Sequence, residues 1–478
     1  MNTHTFARRY RRIQMVLSAT ALVTVMPAAA DVRLPKIFTD NMMLQRDQAV
    51  RVWGWADAGE AVSVTLAGRT ATAKTDDKGE WSIELPALKS GENLELAVKG
   101  KNRLNLKKVI IGDIWVCSGQ SNMEMALGPC LGAEKDLKTA EFPKIRRIKI
   151  GLVQSGKPEP DAPVASPWQV CSPETAGTFT AVGFYFAREI HKKTHVPIGI
   201  IDSNWGGTRI EPWVAPGSQA GETQLSGDLG GIYNAMIHPL VRLPIKGALW
   251  YQGESNGEEG DTYYDKMRAF ISGWRKQWHQ GDFPFYYVQL ASYQDVTEDP
   301  AGGNGWAKLR ESQTKSLTIP NTGMAVIIDT VPLDQAADIH PKNKFDVGAR
   351  LARWALGRDY GQKQLEVSGP LFKALKIDGD KARLAFDHIG AGLMVGKKDE
   401  RDPAREDKKG KLRRFAIAGA DRKWVWADAV IVNNTVTVSS PEVKAPLAVR
   451  YAYQMNPGGA NLYNRDGLPA SPFRTDNW

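Results

Sequence analysis

The spacing of apolar residues divides the chain into stretches of different periodicity. Residues 32–108 alternate apolar and polar side chains in short runs, such as Val62-Ser-Val-Thr-Leu, which Gly- and Asp-containing turns separate. Alternation with period two predicts half-buried strands, so residues 31–108 are expected to form a small N-terminal β domain of the sandwich type. The same pattern returns after Tyr360 and predicts a C-terminal β-rich region over residues 359–478, which is either a second β module or the remainder of the first one.

Residues 109–358 alternate apolar runs with helical periods. The runs predict six strands: Val109–Cys117, Ile145–Val153, Val196–Ile201, Ile245–Tyr251, Phe285–Leu290 and Met324–Ile328. Amphipathic stretches predict four helices: Val182–His191, Tyr264–Trp278, Leu309–Leu317 and Phe345–Leu356. This alternation is typical of an α/β domain, a parallel sheet with helices on both faces, here flanked by N- and C-terminal β-sandwich-like modules. Ligands of such sheets bind beyond the carboxyl ends of the strands.

The first thirty residues have the composition of an export signal. Four Arg lie between Arg8 and Arg12, an apolar run spans Met15–Met26, and Ala28-Ala-Ala offers small residues to a signal peptidase. We expect cleavage before Asp31 and a periplasmic or secreted mature protein. The alternative, a membrane anchor, is disfavoured because the apolar run is too short to span a bilayer, and no later segment is long and apolar enough.

Charge and cysteine content narrow the function classes. Without the signal, 58 basic and 53 acidic residues leave a net charge of +5, and no block of like charge suggests nucleic-acid binding. Of three cysteines, Cys117 lies in an apolar strand pattern, whereas Cys130 and Cys171 are the better candidates for a disulfide. The histidines are scattered without zinc-ligand spacing, so we expect no metal and no cofactor.

Candidate chemistry begins at the end of the first α/β strand, in Cys117-Ser-Gly-Gln-Ser-Asn-Met. Gly119 permits a sharp turn that would project Ser121 at the edge of the sheet. A hydrolase needs a serine there, near a base and with its N–H free to face an oxyanion. The alternative interpretation of the segment is a helix cap.

The third strand ends in Trp205-Gly-Gly-Thr-Arg. Adjacent Gly206 and Gly207 would let a backbone N–H approach a ligand closely, although a plain tight turn needs the same residues. Trp205 and the nearby Trp213 could stack on sugar rings at the mouth of a site, but they could equally be core residues.

The fourth strand ends in Gln252-Gly-Glu-Ser-Asn. Gln252 and Asn256 carry side-chain N–H groups for an oxyanion. Glu254 only accepts hydrogen bonds when ionised, and we expect it to be an orienting group paired with Arg209. The alternative, a glycosidase acid, requires a second carboxylate within about 5–10 Å.

The sixth strand runs into Asp329, and a loop then reaches Asp338-Ile-His-Pro. His340 is a candidate base and Asp338 its orienting acid, although a single histidine in a loop is commonly just a surface residue. Because Ser121, Asp338 and His340 all follow strands at the same edge of the predicted sheet, we expect them to lie close together.

These motifs together resemble the sialate O-acetylesterase family of SGNH (GDSL-like) hydrolases. The resemblance extends to Asp40-Asn-Met-Met-Leu-Gln-Arg-Asp near the start and Asn461-Leu-Tyr-Asn-Arg-Asp-Gly-Leu-Pro near the end. It implies an SGNH-type sheet and ester hydrolysis without a metal. The substrate would be an acetylated oligosaccharide: a plant hemicellulose fragment such as xyloglucan or xylan, or sialic acid.

The resemblance also implies roles for single residues. Ser121 matches the nucleophile and His340 the base, and the acid of the family's wider superfamily commonly lies three residues before the histidine, where this chain has Ala337. The acid is therefore Asp338 or Asp329, or Ser121 and His340 act as a dyad. The implied oxyanion donors are Ser121, Gly206, Gly207 and Gln252. We further expect substrate to be bound by Gln120, Trp205, Arg209, Glu254 and Asn256.

We therefore expect an exported serine acetylesterase that acts through an acetyl-enzyme. The alternative is a non-catalytic carbohydrate-binding protein, in which many of the 15 Trp hold glycans and the hydrolase domain is inactive.

Overall fold

The computed structural model describes residues 31–218 and 229–478, together with Met1 and Leu225. Residues 2–30, which carry the predicted export signal, lie outside the described residues. The first module contains seven strands: β1 (Met43–Gln45), β2 (Val50–Trp55), β3 (Ala61–Leu66), β4 (Arg69–Lys74), β5 (Glu80–Leu85), β6 (Gly91–Lys99) and β7 (Arg103–Gly119).

The middle of the chain contains the α/β domain. Its helices are α1 (Ser121–Glu124), α2 (Ala133–Lys138), α3 (Ala181–Thr194), α4 (Gly260–Trp278), α5 (Gly305–Lys315) and α6 (Lys344–Arg358). Its further strands are β8 (Phe142–Ile150), β9 (Val164–Cys171), β10 (Ile198–Asn204), β11 (Gly247–Tyr251), β12 (Phe285–Val288) and β13 (Thr322–Ala325).

The long strand β7 joins the N-terminal module to the α/β domain. Its first half pairs antiparallel with β6, and its second half pairs parallel with β10 and β11. The predicted boundary at residue 108 therefore lies inside one continuous strand rather than in a linker. Because the strand is shared, the two predicted domains are joined by hydrogen bonds as well as by the chain.

The central sheet has the strand order β13-β12-β11-β7-β10-β8-β9 and is parallel except for β9, which runs antiparallel to β8. The six predicted strands all form, and the edge strand β9 is an addition to them. From β7 the chain continues to β8, returns to β10 and then crosses to β11 on the other side of β7. The carboxyl end of β7 is thus a topological switch point, where sheets of this type bind ligands.

Helices cover both faces of this sheet because successive strand residues point to opposite sides. On one face, the Trp250 ring packs on Phe270 of α4 with ring centres 4.3 Å apart. On the other face, Trp115 meets Phe186 of α3 at 4.8 Å, and Tyr286 meets Trp354 of α6 at 6.3 Å. The sheet therefore lies between two apolar layers.

The C-terminal region forms small antiparallel sheets. Its strands are β14 (Leu371–Asp378), β15 (Lys381–Asp387), β16 (Leu393–Lys397), β17 (Arg405–Glu406), β18 (Phe415–Ala418), β19 (Trp424–Trp426), β20 (Asp428–Val432), β21 (Thr435–Ser439), β22 (Ala448–Tyr451), β23 (Leu462–Asn464) and β24 (Phe473–Arg474).

This C-terminal region supports the loops at the carboxyl edge of the central sheet. Arg310 of α5, fully buried, donates to the carbonyl oxygens of Gln454 and Met455. Asn456 in turn donates to the carbonyl of Gln294, whose N–H donates to the carbonyl of Ala336. The segment that leads to His340 is thereby tied to the β module behind it.

Two further expectations concern the whole chain. The predicted disulfide is wrong: Cys130 and Cys171 are free buried thiols, which donate to the carbonyls of Ala126 and Ala140. Cys117 is also free and buried, as expected. Among the residues that the structure describes, no helix combines the length and the apolar character that crossing a membrane requires.

Candidate active site

Ser121 lies at the centre of the carboxyl edge, immediately after β7 and at the first position of α1. Gly119 makes this turn with a φ of 135°, and a Cβ atom there would lie 2.1 Å from the carbonyl oxygen of Tyr251. Only glycine fits such a close approach. The next N–H, of Gln120, donates to that same carbonyl at 3.0 Å, so β11 fixes the direction in which Ser121 leaves the sheet.

The structure brings His340 to Ser121. The Nε2 atom of His340 lies 2.9 Å from the Oγ atom of Ser121, a hydrogen-bond distance. The two residues come from loops at opposite ends of the domain sequence and meet because both follow strands of the same sheet edge. This contact supplies a hydroxyl next to a base, which nucleophilic catalysis requires.

Asp338 is the carboxylate nearest to the second ring nitrogen of this histidine. Its Oδ1 atom lies 3.4 Å from Nδ1 of His340 and accepts the His340 backbone N–H at 2.9 Å. Burial alone would raise the pKa of Asp338, but the backbone donor and Lys342 outweigh it and keep the pKa below its ordinary value. Asp338 is therefore an ionised group that orients the loop and faces the imidazole.

Asp329, the alternative acid, has other partners. Its two carboxylate oxygens receive a bidentate pair from Arg350 at 2.6 and 2.8 Å, and Tyr463 donates to it at 3.1 Å. These contacts attach α6 and the C-terminal module to the end of the central sheet. The geometry thus favours Asp338 over Asp329 as the partner of His340.

Burial lowers the pKa of His340, and the nearby Lys344 lowers it further. Asp338 acts in the opposite direction but does not compensate. The imidazole is therefore neutral at neutral pH, the protonation state in which it can accept the Ser121 proton.

Two of the four expected oxyanion donors are unoccupied. The N–H groups of Ser121 and Gly207 find no acceptor in the part of the chain that the structure describes. Gly207 has a φ of 73° and open space on its Cβ side, so this turn faces solvent beside Ser121. Gly206 departs from the expectation, because its N–H donates to the carboxylate of Glu124 at 2.6 Å.

Gln252 also departs from the expectation of an oxyanion donor. Its amide nitrogen donates to the carbonyl of Thr208 at 3.2 Å and to Oδ1 of Asn256 at 2.8 Å. Its amide oxygen accepts from the Tyr263 hydroxyl at 2.6 Å. With both hydrogens donated inside the protein, this buried side chain braces the loops after β10 and β11 instead of facing a reacting carbonyl.

Asn256 and Glu254, expected to bind substrate, both have hydrogen-bond partners inside the protein. Asn256 is buried, accepts from the Ile210 N–H and donates to Glu211 and Glu259. The carboxylate of Glu254 accepts from Asn122, and its second oxygen is buried.

The predicted pair of Glu254 with Arg209 is likewise wrong. Arg209 pairs with Glu211 at 3.1 Å and with Glu259. Lys266 completes this cluster through the same two carboxylates, so two cations face two anions. The Glu254 carboxylate is buried away from the carboxylates of this cluster. It therefore lacks the second carboxylate that a glycosidase acid requires, which disfavours the glycosidase alternative.

Gln120 and Trp205 remain beside the site. The side-chain oxygen Oε1 of Gln120 accepts the Ser255 N–H at 3.2 Å, while the side-chain nitrogen of Gln120 has no acceptor among the described residues. Trp205 is partly buried against the core, and Trp213 is wholly a core residue. Of the residues expected to bind substrate, Gln120 thus offers an N–H donor next to Ser121 that has no partner in the described part of the chain.

Three site residues were missed by the sequence interpretation: Asn122, Glu124 and Lys344. Asn122 accepts from the buried Lys344 ammonium and donates to the carbonyl of Ile339. The position of Asn122 and Glu124 beside the serine was a signal that could have singled them out. Nothing in the sequence singled out Lys344, since a lysine at the start of a helix is commonly solvated.

Comparisons with known proteins place the chain among carbohydrate esterases. Residues 111–357 match the family model for the carbohydrate esterase, sialic acid-specific acetylesterase domain. The chain is 30% identical to the human and orangutan (Pongo abelii) sialate O-acetylesterases, with 92% of each chain covered. Among solved structures, it is similar to a carbohydrate acetylesterase from Xanthomonas citri, with 41% identity, a TM-score of 0.86, and coverage of 94% of this chain and all of the other.

Proposed function

The chain belongs to the sialic acid-specific acetylesterase family of carbohydrate esterases, and from this premise we propose that it is an exported serine enzyme that removes O-acetyl groups from carbohydrates through an acetyl-enzyme. The observation that carries the proposal is the 2.9 Å contact between Nε2 of His340 and Oγ of Ser121. A non-catalytic binding protein has no need of this contact.

In the first step, His340 accepts the Ser121 proton while Oγ attacks the acetyl carbonyl carbon. The negative charge that develops on the carbonyl oxygen is stabilised by the N–H groups of Ser121 and Gly207, the two expected donors that are unoccupied. The imidazolium then gives its proton to the sugar oxygen, the C–O bond to the sugar breaks, and the acetyl group stays on Ser121.

In the second step, water gives a proton to His340 and attacks the acetyl carbonyl. The same N–H groups hold the oxyanion, the bond to Oγ breaks, and His340 returns the proton to Ser121 as acetate leaves. Asp338 faces the imidazolium during both steps and stabilises its charge, so we assign it as the acid of the triad.

For the sugar, we propose a neutral acetylated hemicellulose fragment, such as one from xylan or xyloglucan, rather than sialic acid. Arg209 is the exposed cation of the loop that carries Gly206 and Gly207, and its charge is already matched by Glu211 and Glu259. A sialic acid carboxylate would therefore find no unpaired cation at this loop. The open space beside Gly207 leaves room for an oligosaccharide.

Acetate release from a panel of acetylated xylan and xyloglucan oligosaccharides and O-acetyl sialic acid tests the substrate class. We expect the larger kcat/KM values for the neutral oligosaccharides; preference for sialic acid would contradict that part of the proposal. Added methanol tests the acetyl-enzyme, because a common intermediate must give the same ratio of methyl acetate to acetate from every substrate. A ratio that varies with the sugar would refute it.

Export is tested separately by sequencing the N-terminus of protein recovered from the periplasm or the medium. We expect Asp31 as the first residue. Protein that is retained in the cytoplasm with Met1 intact would show that the export interpretation is wrong.

A further inference from the structure

A buried charged network lies directly behind the Ser121–His340 pair. Lys344, the first residue of α6, is completely buried, and its ammonium donates to the side-chain oxygen of Asn122. The nitrogen of that amide donates to the Glu254 carboxylate and, at 3.0 Å, to the carbonyl of Ile339. The network thus joins α1, the loop after β11 and the loop before α6.

The Asn122 amide connects the two halves of the reaction centre. Asn122 follows Ser121 in the chain, and Ile339 precedes His340. One planar side chain therefore links the peptide next to the nucleophile to the peptide next to the base. The amide can be held in this plane because both of its ends have charged partners, Lys344 on the oxygen and Glu254 on the nitrogen.

We propose that Lys344 and Asn122 are positioning residues of the esterase: Lys344 fixes the Asn122 amide, which holds Ser121 and His340 at the spacing that proton transfer requires. This inference rests on the proposed function, since it assigns both residues to the Ser121–His340 reaction. The burial of the network supports it, because a buried lysine is costly and is tolerated only with good partners. One carboxylate oxygen of Glu254 is buried with no hydrogen-bond partner in the described part of the chain, which makes the arrangement more costly still.

The Lys344 charge also acts on the base. Burial lowers the pKa of Lys344 to about 8, so the group is still largely charged at neutral pH. Its positive charge disfavours the imidazolium form of His340. The other charged groups that face this imidazole are Asp338 and Lys342 from its own loop, and the carboxylate of Glu254 lies beyond Asn122.

These contacts predict a change in the pH profile that a purely structural lysine would not produce. Removing the Lys344 charge makes the imidazolium more favourable, which raises the pKa of His340. The base is then protonated at a higher pH, so the acid limb of kcat/KM must move to higher pH. A shift of half a pH unit corresponds to about a threefold loss of kcat/KM on that limb.

The experiment compares wild type with Lys344→Met and Lys344→Gln on a chromogenic acetyl ester, so that it does not depend on the identity of the sugar. Both variants should show the shifted limb. At the alkaline plateau, Lys344→Met, which cannot donate to Asn122, should lose about tenfold in kcat with KM little changed, whereas Lys344→Gln retains a donor and should lose less.

Lys398→Met is the matched control. The side chain of Lys398 is 6% exposed and pairs with Asp346 of α6 at 2.8 Å; its hydrogen bonds go to the carbonyls of Glu400 and Asp402 and not to the network. It should leave the pH profile unchanged. Thermal unfolding establishes that each protein is folded.

An unshifted acid limb in a folded Lys344 variant, or the same shift in Lys398→Met, would overturn the proposal. If neither Lys344 variant folds, Asn122→Ala provides the test. This substitution keeps the Lys344 charge but removes the amide that links Ser121 to the His340 loop, so kcat should fall about tenfold. A wild-type kcat in folded Asn122→Ala would overturn the proposal. Failure of the proposed function is distinguishable, because it would appear as wild-type protein that cleaves no acetyl ester of any sugar.

Discussion

The carboxylate of Glu124 accepts the backbone N–H of Gly206 at 2.6 Å, across the gap between α1 and the loop after β10. Gly206 lies so close to the nucleophile that a Cβ atom on it would be 3.3 Å from the Cβ of Ser121. The contact therefore holds the glycine turn against Ser121, while the N–H of Gly207 has no acceptor in the described part of the chain.

This contact predicts different outcomes for two substitutions of Glu124. Glu124→Gln keeps an acceptor for the Gly206 N–H and should retain kcat within about threefold of wild type. Glu124→Ala removes the acceptor and frees the turn, which should lower kcat by about tenfold, equivalent to one hydrogen bond of ~1.4 kcal/mol. Steady-state kinetics of the two folded proteins check this, and equal activities would show that the contact does not support the turn.

The acid of the triad is tested by Asp338→Asn and Asp329→Asn. Asp338→Asn removes the negative charge that faces His340, so kcat should fall by about 10²–10⁴-fold. Because Asp338 raises the pKa of His340, its removal should also move the acid limb of kcat/KM to lower pH, opposite to the Lys344 variants.

Asp329→Asn serves as the comparison. It disturbs the buried pair with Arg350 and should lower the free energy of unfolding by about 3 kcal/mol while kcat changes little. A large loss of kcat in folded Asp329→Asn, with Asp338→Asn near wild type, would transfer the role to Asp329. If both retain kcat, Ser121 and His340 act as a dyad.

The pKa of His340 predicts the pH range of the enzyme. Burial and Lys344 place this pKa below the ordinary histidine value of about 6.5. The base is neutral above its pKa and protonated below it, so kcat/KM should be constant at neutral pH and fall on an acid limb centred below about 6.5. A profile of kcat/KM against pH checks this; a limb centred above 7 would mean that the base is not in the environment described.

Gln252→Ala distinguishes two roles of Gln252: a structural one, in which its side chain holds the loops after β10 and β11 together, and that of an oxyanion donor. Loss of a brace leaves the Thr208 carbonyl, Asn256 and Tyr263 without their partner, so the free energy of unfolding should fall by about 1–3 kcal/mol. Loss of an oxyanion donor alone would lower kcat by about 10²–10³-fold at unchanged stability. Denaturant unfolding and kinetics on the same preparation separate the two outcomes, and we expect the first.

The fold was largely predictable because buried parallel strands and amphipathic helices have different periods. The helix predicted at Val182–His191 is observed at Ala181–Thr194, and the strand predicted at Phe285–Leu290 at Phe285–Val288. The edge strand β9 escaped prediction because Val164–Cys171 includes Pro167 and polar residues and pairs on one side only. The length of β7 was also missed, since its half-exposed and fully buried halves have different patterns.

At the site, the sequence predicted which residues reach the sheet edge but not where each side chain points. Ser121 and His340 meet because topology alone brings their loops together. Gln252 and Asn256 have donors that suit an oxyanion, yet the loops fold so that these donors satisfy neighbouring acceptors. Lys344 was unpredictable because its partner Asn122 lies more than two hundred positions away.

Acetate release from an acetylated xylo-oligosaccharide by Ser121→Ala, measured beside wild type, tests whether Ser121 is the nucleophile. The substitution removes one oxygen from a partly exposed residue, so thermal unfolding should be unchanged. If Oγ of Ser121 is the nucleophile, the rate should fall by about 10⁴-fold or more. A folded Ser121→Ala protein that retains activity within tenfold of wild type would show that Ser121 is not the nucleophile.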